Sequence, residues 1–292
     1  LETSGLGGDS EVGQDAEGRL RLGPRRVVPI SLLAHEHPAI VEVLQHEIER
    51  GTARPTDARF AVRPGLSDMA EHLSRSQQRL WDLLAAGPLP LETVVDREHL
   101  AIPLEALVRR GILALAGFTP SDAAHVLGLQ TGWNLEAAAL GARLESRKCH
   151  SSDDPESLAR AVLAQARRSS AEALVAAAWH ASGGGPASLA ALAADPLYAR
   201  ALDSTAPADT TPPLSLAFRL DRPVVAVGGP APIFYDGVPE RLGSRLVVPD
   251  HHGVCNAIGA VVGDVVRHVE RVATRISDAR LALYLGERVA EE

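Results

Sequence analysis

RPVVAVGGPAPIFYDGVPERLGSRLVVPDHHGVCNAIGAVVG, residues 222–263, carries the strongest fold signals of the chain. Its first part, 223–227, is a short β-branched apolar run that stops at Gly228-Gly229, as a buried strand does at a tight turn. Pro230 and Pro232 keep the following loop out of a sheet. Residues 234–242 carry helical spacing, and Gly243 suits the position that closes a helix. A second apolar strand spans 245–248 and ends at Pro249. Small apolar residues from 254 to 266, with Gly259 and Gly263 allowing close approach, predict a buried helix. Strand, Gly-Gly turn, helix, strand, loop and helix together predict parallel strands covered by helices. In such sheets ligands sit at the carboxyl ends of strands, where Gly228-Gly229 falls. Two glycines let a flat or charged ligand meet bare backbone, although the same pair also serves a tight turn with no ligand.

Working outward, residues 1–34 contain the glycine-rich run Gly5, Gly7 and Gly8 before Asp9-Ser10. Such a run presents backbone N–H groups, a hydroxyl and a carboxylate to phosphate or a metal ion, or else forms a plain hairpin turn. Leu20 and Leu22 alternate with arginines as in an edge strand, ended by Gly23-Pro24. Ile40, Val41, Leu44 and Ile48 mark a helix stopped by Gly51, and residues 60–62 a short strand. His35, His37 and His46 lack metal-ligand spacing and read as surface or satisfied histidines. Residues 67–118 read as three helices and a small strand, resembling a winged-helix module. Its third helix carries only Arg109 and Arg110 at one end, which favours a structural insert over DNA reading. The sequence predicts a first-helix cap at Ser67. Thr119 or Ser121 caps the next helix, with Asp122 near its positive end. Cys149 and His150 lie in a polar linker, 156–181 is a long amphipathic helix, 186–213 an irregular connection with one helical turn, 214–220 a strand, 264–275 a helical continuation and 280–284 a strand.

Two further segments join the first. VAVGGPAP with ERLGSRLVVPDHHGVCNAIGAVVG, GLGGDS followed by a hairpin and GPRR, and TPSDA…VLG together resemble the hydantoinase/5-oxoprolinase family, A-subunit type. The resemblance implies an α/β fold of the actin-like ATPase (ribonuclease H-like) kind with a largely helical, winged-helix-like insert. On that plan 1–66 hold the glycine motif, hairpin and first helix, 67–118 the insert, and 119–292 the continued ATPase-like domain with a nucleotide-binding core at 214–266. It further implies ATP and Mg²⁺ as cofactors, with Gly7, Gly8, Ser10, Gly228, Gly229 and Asn256 near the nucleotide. Asp9 is then the candidate catalytic, Mg²⁺-side carboxylate. The implied reaction is ATP-dependent opening of a cyclic amide or related carbonyl substrate by phosphoryl transfer to its oxygen, with a B-type hydantoinase subunit as partner. The family's first phosphate motif and its acidic-Gly-Gly-Thr motif are missing here, so the chain reads as a cut segment, inactive by itself. The alternatives are a nucleotide-binding scaffold segment and a sugar- or acid-kinase relative.

Composition bounds these readings. The 292 residues are 46% hydrophobic and 23% charged, with net charge −8. That balance disfavours a nucleic-acid partner, and no apolar run approaches the ~20 residues of a membrane span. Cys149 and Cys255 are too few and too far apart for a disulfide framework, which fits a reducing cytoplasm.

Overall fold

The computed structural model describes residues 5–64, 73–148, 154–202, 214 and 216–263, and the backbone of 272–277, 280–285 and 288–291. The expected helix cap at Ser67 and the Cys149-His150 linker lie outside them. The chain divides into two compact units, Leu1–Gly253 and Val254–Glu292.

The larger unit begins with an antiparallel hairpin, β1 (Ser10–Gln14) and β2 (Leu20–Arg26), in which Ser10 faces Arg26. The strand continues through Gly23-Pro24 rather than ending there, because it still pairs across to Ser10. β3 (Val28–Pro29) leads into α1 (Ile30–Glu36) and α2 (Ile40–Glu49). β4 (Phe60–Val62) follows, then α3 (Arg75–Leu83), β5 (Leu89–Pro90), a π-helical turn Thr93–Arg97, α4 (Ala101–Arg109) and β6 (Ala114–Gly117). Ser74 opens α3 with a reciprocal cap to Gln77, the pattern that satisfies two orphan amides at once. Residues 91–95, which the sequence marks as the start of a second helix or turn, lead into this π-helical turn. Its strand, β6, is no local wing. It lies second in a four-stranded sheet of order β3-β6-β4-β5, parallel to β3 and antiparallel to β4.

α5 (Pro120–Val126), α6 (Leu135–Lys148) and α7 (Pro155–Ala181) pack behind that sheet. Their shared core joins Val12, Ile30, Leu33, Leu44, Phe60 and Phe118 to alanines of the three helices. With so few aromatic residues, the helices approach closely on small side chains. A methyl on Gly141 of α6 would stand 3.0 Å from the Ile30 side chain. A second core, around Leu80, Trp81, Leu84, Val94 and Leu107, fills the space between α3, α4 and the sheet.

α8 (Pro186–Ala193) and α9 (Pro196–Leu202) occupy much of the connection expected to be irregular. Proline at the first helical position is compatible with helix, since that N–H has no intrahelical partner anyway. Residues 216–220 are not a strand. β7 (Val224–Val225) and β8 (Leu246–Val247) pair in parallel, as the central stretch predicts. The helix between them is broken into α10 (Ala231–Phe234) and α11 (Val238–Arg241), because Gly237 takes φ 71° in the left-handed region. A third core of Ala171, Val175, Tyr198, Leu202, Val238 and Leu242 fixes α9 and α11 to α7.

The smaller unit contains α12 (Cys255–Val262) and an antiparallel meander, β9 (Val272–Ser277), β10 (Arg280–Leu285) and β11 (Arg288–Glu291). Two expectations are corrected. α12 buries none of its residues, and 272–277 is strand, not helical continuation. Among the described residues no helix is long and apolar enough to cross a membrane.

Candidate functional site

Gly8 is the point where three segments converge. Its carbonyl accepts the Ser121 N–H at 2.9 Å, docking the glycine-rich loop on the first turn of α5. A methyl there would meet the Ser121 hydroxyl at 2.6 Å and the Phe234 ring at 2.9 Å. Gly8 is therefore a packing glycine, and its missing side chain lets α10 close over the loop. The N–H of Val12 donates to the carbonyl of Phe118 at 3.0 Å and seats the hairpin on the end of β6.

A hollow of about 520 Å³ opens beside this junction. Gly8, Asp9 and Arg26 form one wall, the edge strand from Val27 to Pro29 runs along it, and Ser121, Trp133 and Pro230 complete it. Gly228-Gly229 directly precedes Pro230, in the turn that follows β7. Gly228 takes φ 110°, which L side chains rarely adopt, and open space surrounds the missing side chain of both glycines.

Several groups that hold this wall are buried. Asp122 is fully buried and accepts five hydrogen bonds: from the N–H groups of Ile30, Ser31 and Thr119, and from the Ser31 and Thr119 hydroxyls. One carboxylate thus ties the start of α1, behind β3, to the start of α5. Burial pushes its pKa up, against the opposing pull of the donors from Ser31 and Thr119. His125 is also buried. Its ring stacks on Trp133 at 5.0 Å and 8°. The backbone N–H of Trp133 donates to Nε2 at 3.3 Å, so Nδ1 carries the proton and donates to the Ser121 carbonyl at 2.7 Å. Trp133 is thereby held in the wall of the hollow from behind.

The candidate site residues are placed differently. Gly8 and Asp9 line the hollow, and Gly228-Gly229 adjoins its Pro230 wall. Gly7 stands beside Asp9 and Arg26, 3.0 Å and 3.4 Å from where its methyl would be. Ser10 is fully buried and accepts the Gly7 N–H at 2.9 Å, holding the turn together from inside. Asn256 belongs to α12 in the smaller unit. Asp9 is engaged by Arg26, whose Nε stands 2.8–2.9 Å from its carboxylate oxygens. Arg26, Ser121, Trp133 and Pro230 are wall residues that sequence reasoning did not assign to the site. A tryptophan in an aromatic-poor chain, directly before a helix, was the available signal for Trp133. No group of three or more His, Cys, Asp or Glu stands ready to hold a metal ion among the described residues.

Comparison with family models, with curated proteins and with solved structures finds no match to this chain.

Proposed function

We propose that the chain is the nucleotide-binding part of a hydantoinase/5-oxoprolinase-type A subunit with an actin-like ATPase fold. That assignment makes it a contributor to ATP-dependent hydrolysis of a cyclic amide or related carbonyl substrate, acting with a B-type subunit in the cytoplasm. One observation carries the reading: Gly8 and Asp9 of the GLGGDS loop and Pro230, directly after Gly228-Gly229, come from opposite ends of the larger unit's sequence and line the same hollow. A 520 Å³ hollow matches the size range of small-molecule sites.

The two halves of ATP-Mg²⁺ fit unequally. Gly228 and Gly229 offer bare backbone with open space in front, which suits a flat purine face. Asp9 and Ser10 do not suit Mg²⁺ or phosphate in this arrangement, since Arg26 holds the carboxylate and Ser10 is buried. That mismatch favours a second reading, a nucleotide-binding scaffold segment that is not itself catalytic.

The test is calorimetric titration of ATP into the chain and into Gly229→Leu. Gly229 lies outside the left-handed region and nothing stands within 4 Å of its missing Cβ, so leucine should be accepted there and fill the approach to the turn. The reading predicts binding by the wild type and loss in the variant. No heat with the wild type refutes it.

A further inference from the structure

The hollow's wall carries one exposed cation that the nucleotide reading has not used. Resting on that reading, we propose that Arg26 is the phosphoryl-recognition residue and Asp9 its displaceable counter-ion. Four observations support the assignment. Arg26 and Asp9 line the hollow together, with side chains 69% and 36% exposed. The backbone fixes them, since Arg26 pairs with Ser10 in the hairpin and the Val27 N–H donates to the Asp9 carbonyl at 2.9 Å. Gly7 leaves the space that both side chains occupy: a methyl would stand 3.0 Å from Asp9 Oδ1 and 3.4 Å from Arg26 Nη2. The neighbouring arginine does something else. Arg25 faces Glu11 at 3.6 Å, and Glu11 is bound in turn by Arg59 at 2.7 Å.

The exchange is chemically reasonable in this setting. Exposed ion pairs hold weakly, so a competing anion removes Asp9 at little cost. A guanidinium carries five donors in a planar fork, and a phosphoryl group answers that fork with two parallel charge-assisted bonds. Asp9 thus masks Arg26 until a stronger anion arrives, and in doing so also repels weakly bound ones.

The test is titration of ATP and of tripolyphosphate, without Mg²⁺, into the wild type, Arg26→Gln, Arg25→Gln and Asp9→Asn, with circular dichroism confirming each fold. Arg26→Gln weakens ATP about tenfold, the scale of one lost charge-assisted contact. Arg25→Gln, which removes the same charge, changes it less than about twofold on the same scale. Asp9→Asn tightens ATP severalfold, because the competing carboxylate is gone. ATP binding that ignores Arg26, equal losses in both arginine variants, or weaker binding by Asp9→Asn overturns the assignment and leaves the nucleotide reading standing. Tripolyphosphate binding that needs Arg26, with no gain from adenosine, keeps Arg26 and refutes the nucleotide reading. Binding of neither ligand refutes both.

Discussion

Glu47 offers a measurable consequence of burial in this fold. It lies on α2, 4% exposed, and its Oε2 accepts the Ala58 N–H at 2.9 Å. Ala58 has φ 53°, so this hydrogen bond helps hold an uncommon backbone turn before β4. Asp57 beside it is paired with Arg50 and caps the Arg54 N–H at 2.8 Å. Burial raises the Glu47 pKa from 4.5 to about 7, with the Asp57 charge adding to the rise and the Ala58 N–H, Arg50 and Lys148 opposing it. The folded value lies above the unfolded one. Between pH 4.5 and 7 the folded state therefore holds the proton that the unfolded state has released, and stability falls as pH rises through that window. A shift of that size corresponds to roughly 3 kcal/mol. Glu47→Gln keeps the acceptor for Ala58 and removes the ionisation. Urea unfolding of both proteins from pH 4 to 8 isolates the effect, because other titrating groups cancel in the difference. Relative to wild type, the variant should gain roughly 3 kcal/mol at pH 8 over its standing at pH 4, with the change centred between pH 4.5 and 7. A difference that stays flat with pH refutes the reasoning, since Glu47 would then ionise alike in both states.

Three stability predictions concern groups in and around the hollow. Asp122→Ala leaves five buried donors without their acceptor and should lower stability by roughly 3–5 kcal/mol, read as a drop in thermal midpoint. Gly8→Ala forces a methyl against the Ser121 hydroxyl and the Phe234 ring, and should cost about 1–3 kcal/mol in denaturant unfolding. Gly229→Leu should match wild type in the same assay, which separates the packing glycine from the open one.

Much of the architecture was legible because local signals and tertiary structure agree. The β-branched runs that end at Gly228-Gly229 and at Pro249 became a parallel pair, and Thr119 became the cap of α5 with Asp122 as its reciprocal partner. Legibility failed where a distant partner decided. Residues 114–117 look like a wing from their neighbours, yet β3 and β4 recruit them into a larger sheet. Pro186 and Pro196 look like breakers but sit at first helical positions, where proline costs nothing. In the candidate site, Gly8 and Gly228-Gly229 were visible as glycines, but spacing did not reveal that one is filled by Phe234 and the others face open space. The Asp9–Arg26 pair was hidden for the same reason, since its partners are brought together only by the hairpin register. Ser10 looked like a ligand hydroxyl because burial is invisible in a six-residue motif.

Photolabelling with 8-azido-ATP, followed by peptide mapping, tests whether the glycine-rich loop and the turn before Pro230 flank one nucleotide site. Label should fall on peptides around Gly228-Gly229 or around Gly8-Asp9, be suppressed by excess ATP and be lost in Gly229→Leu. Label that ATP does not suppress, or that maps to α8 and α9 instead, would rule the shared site out.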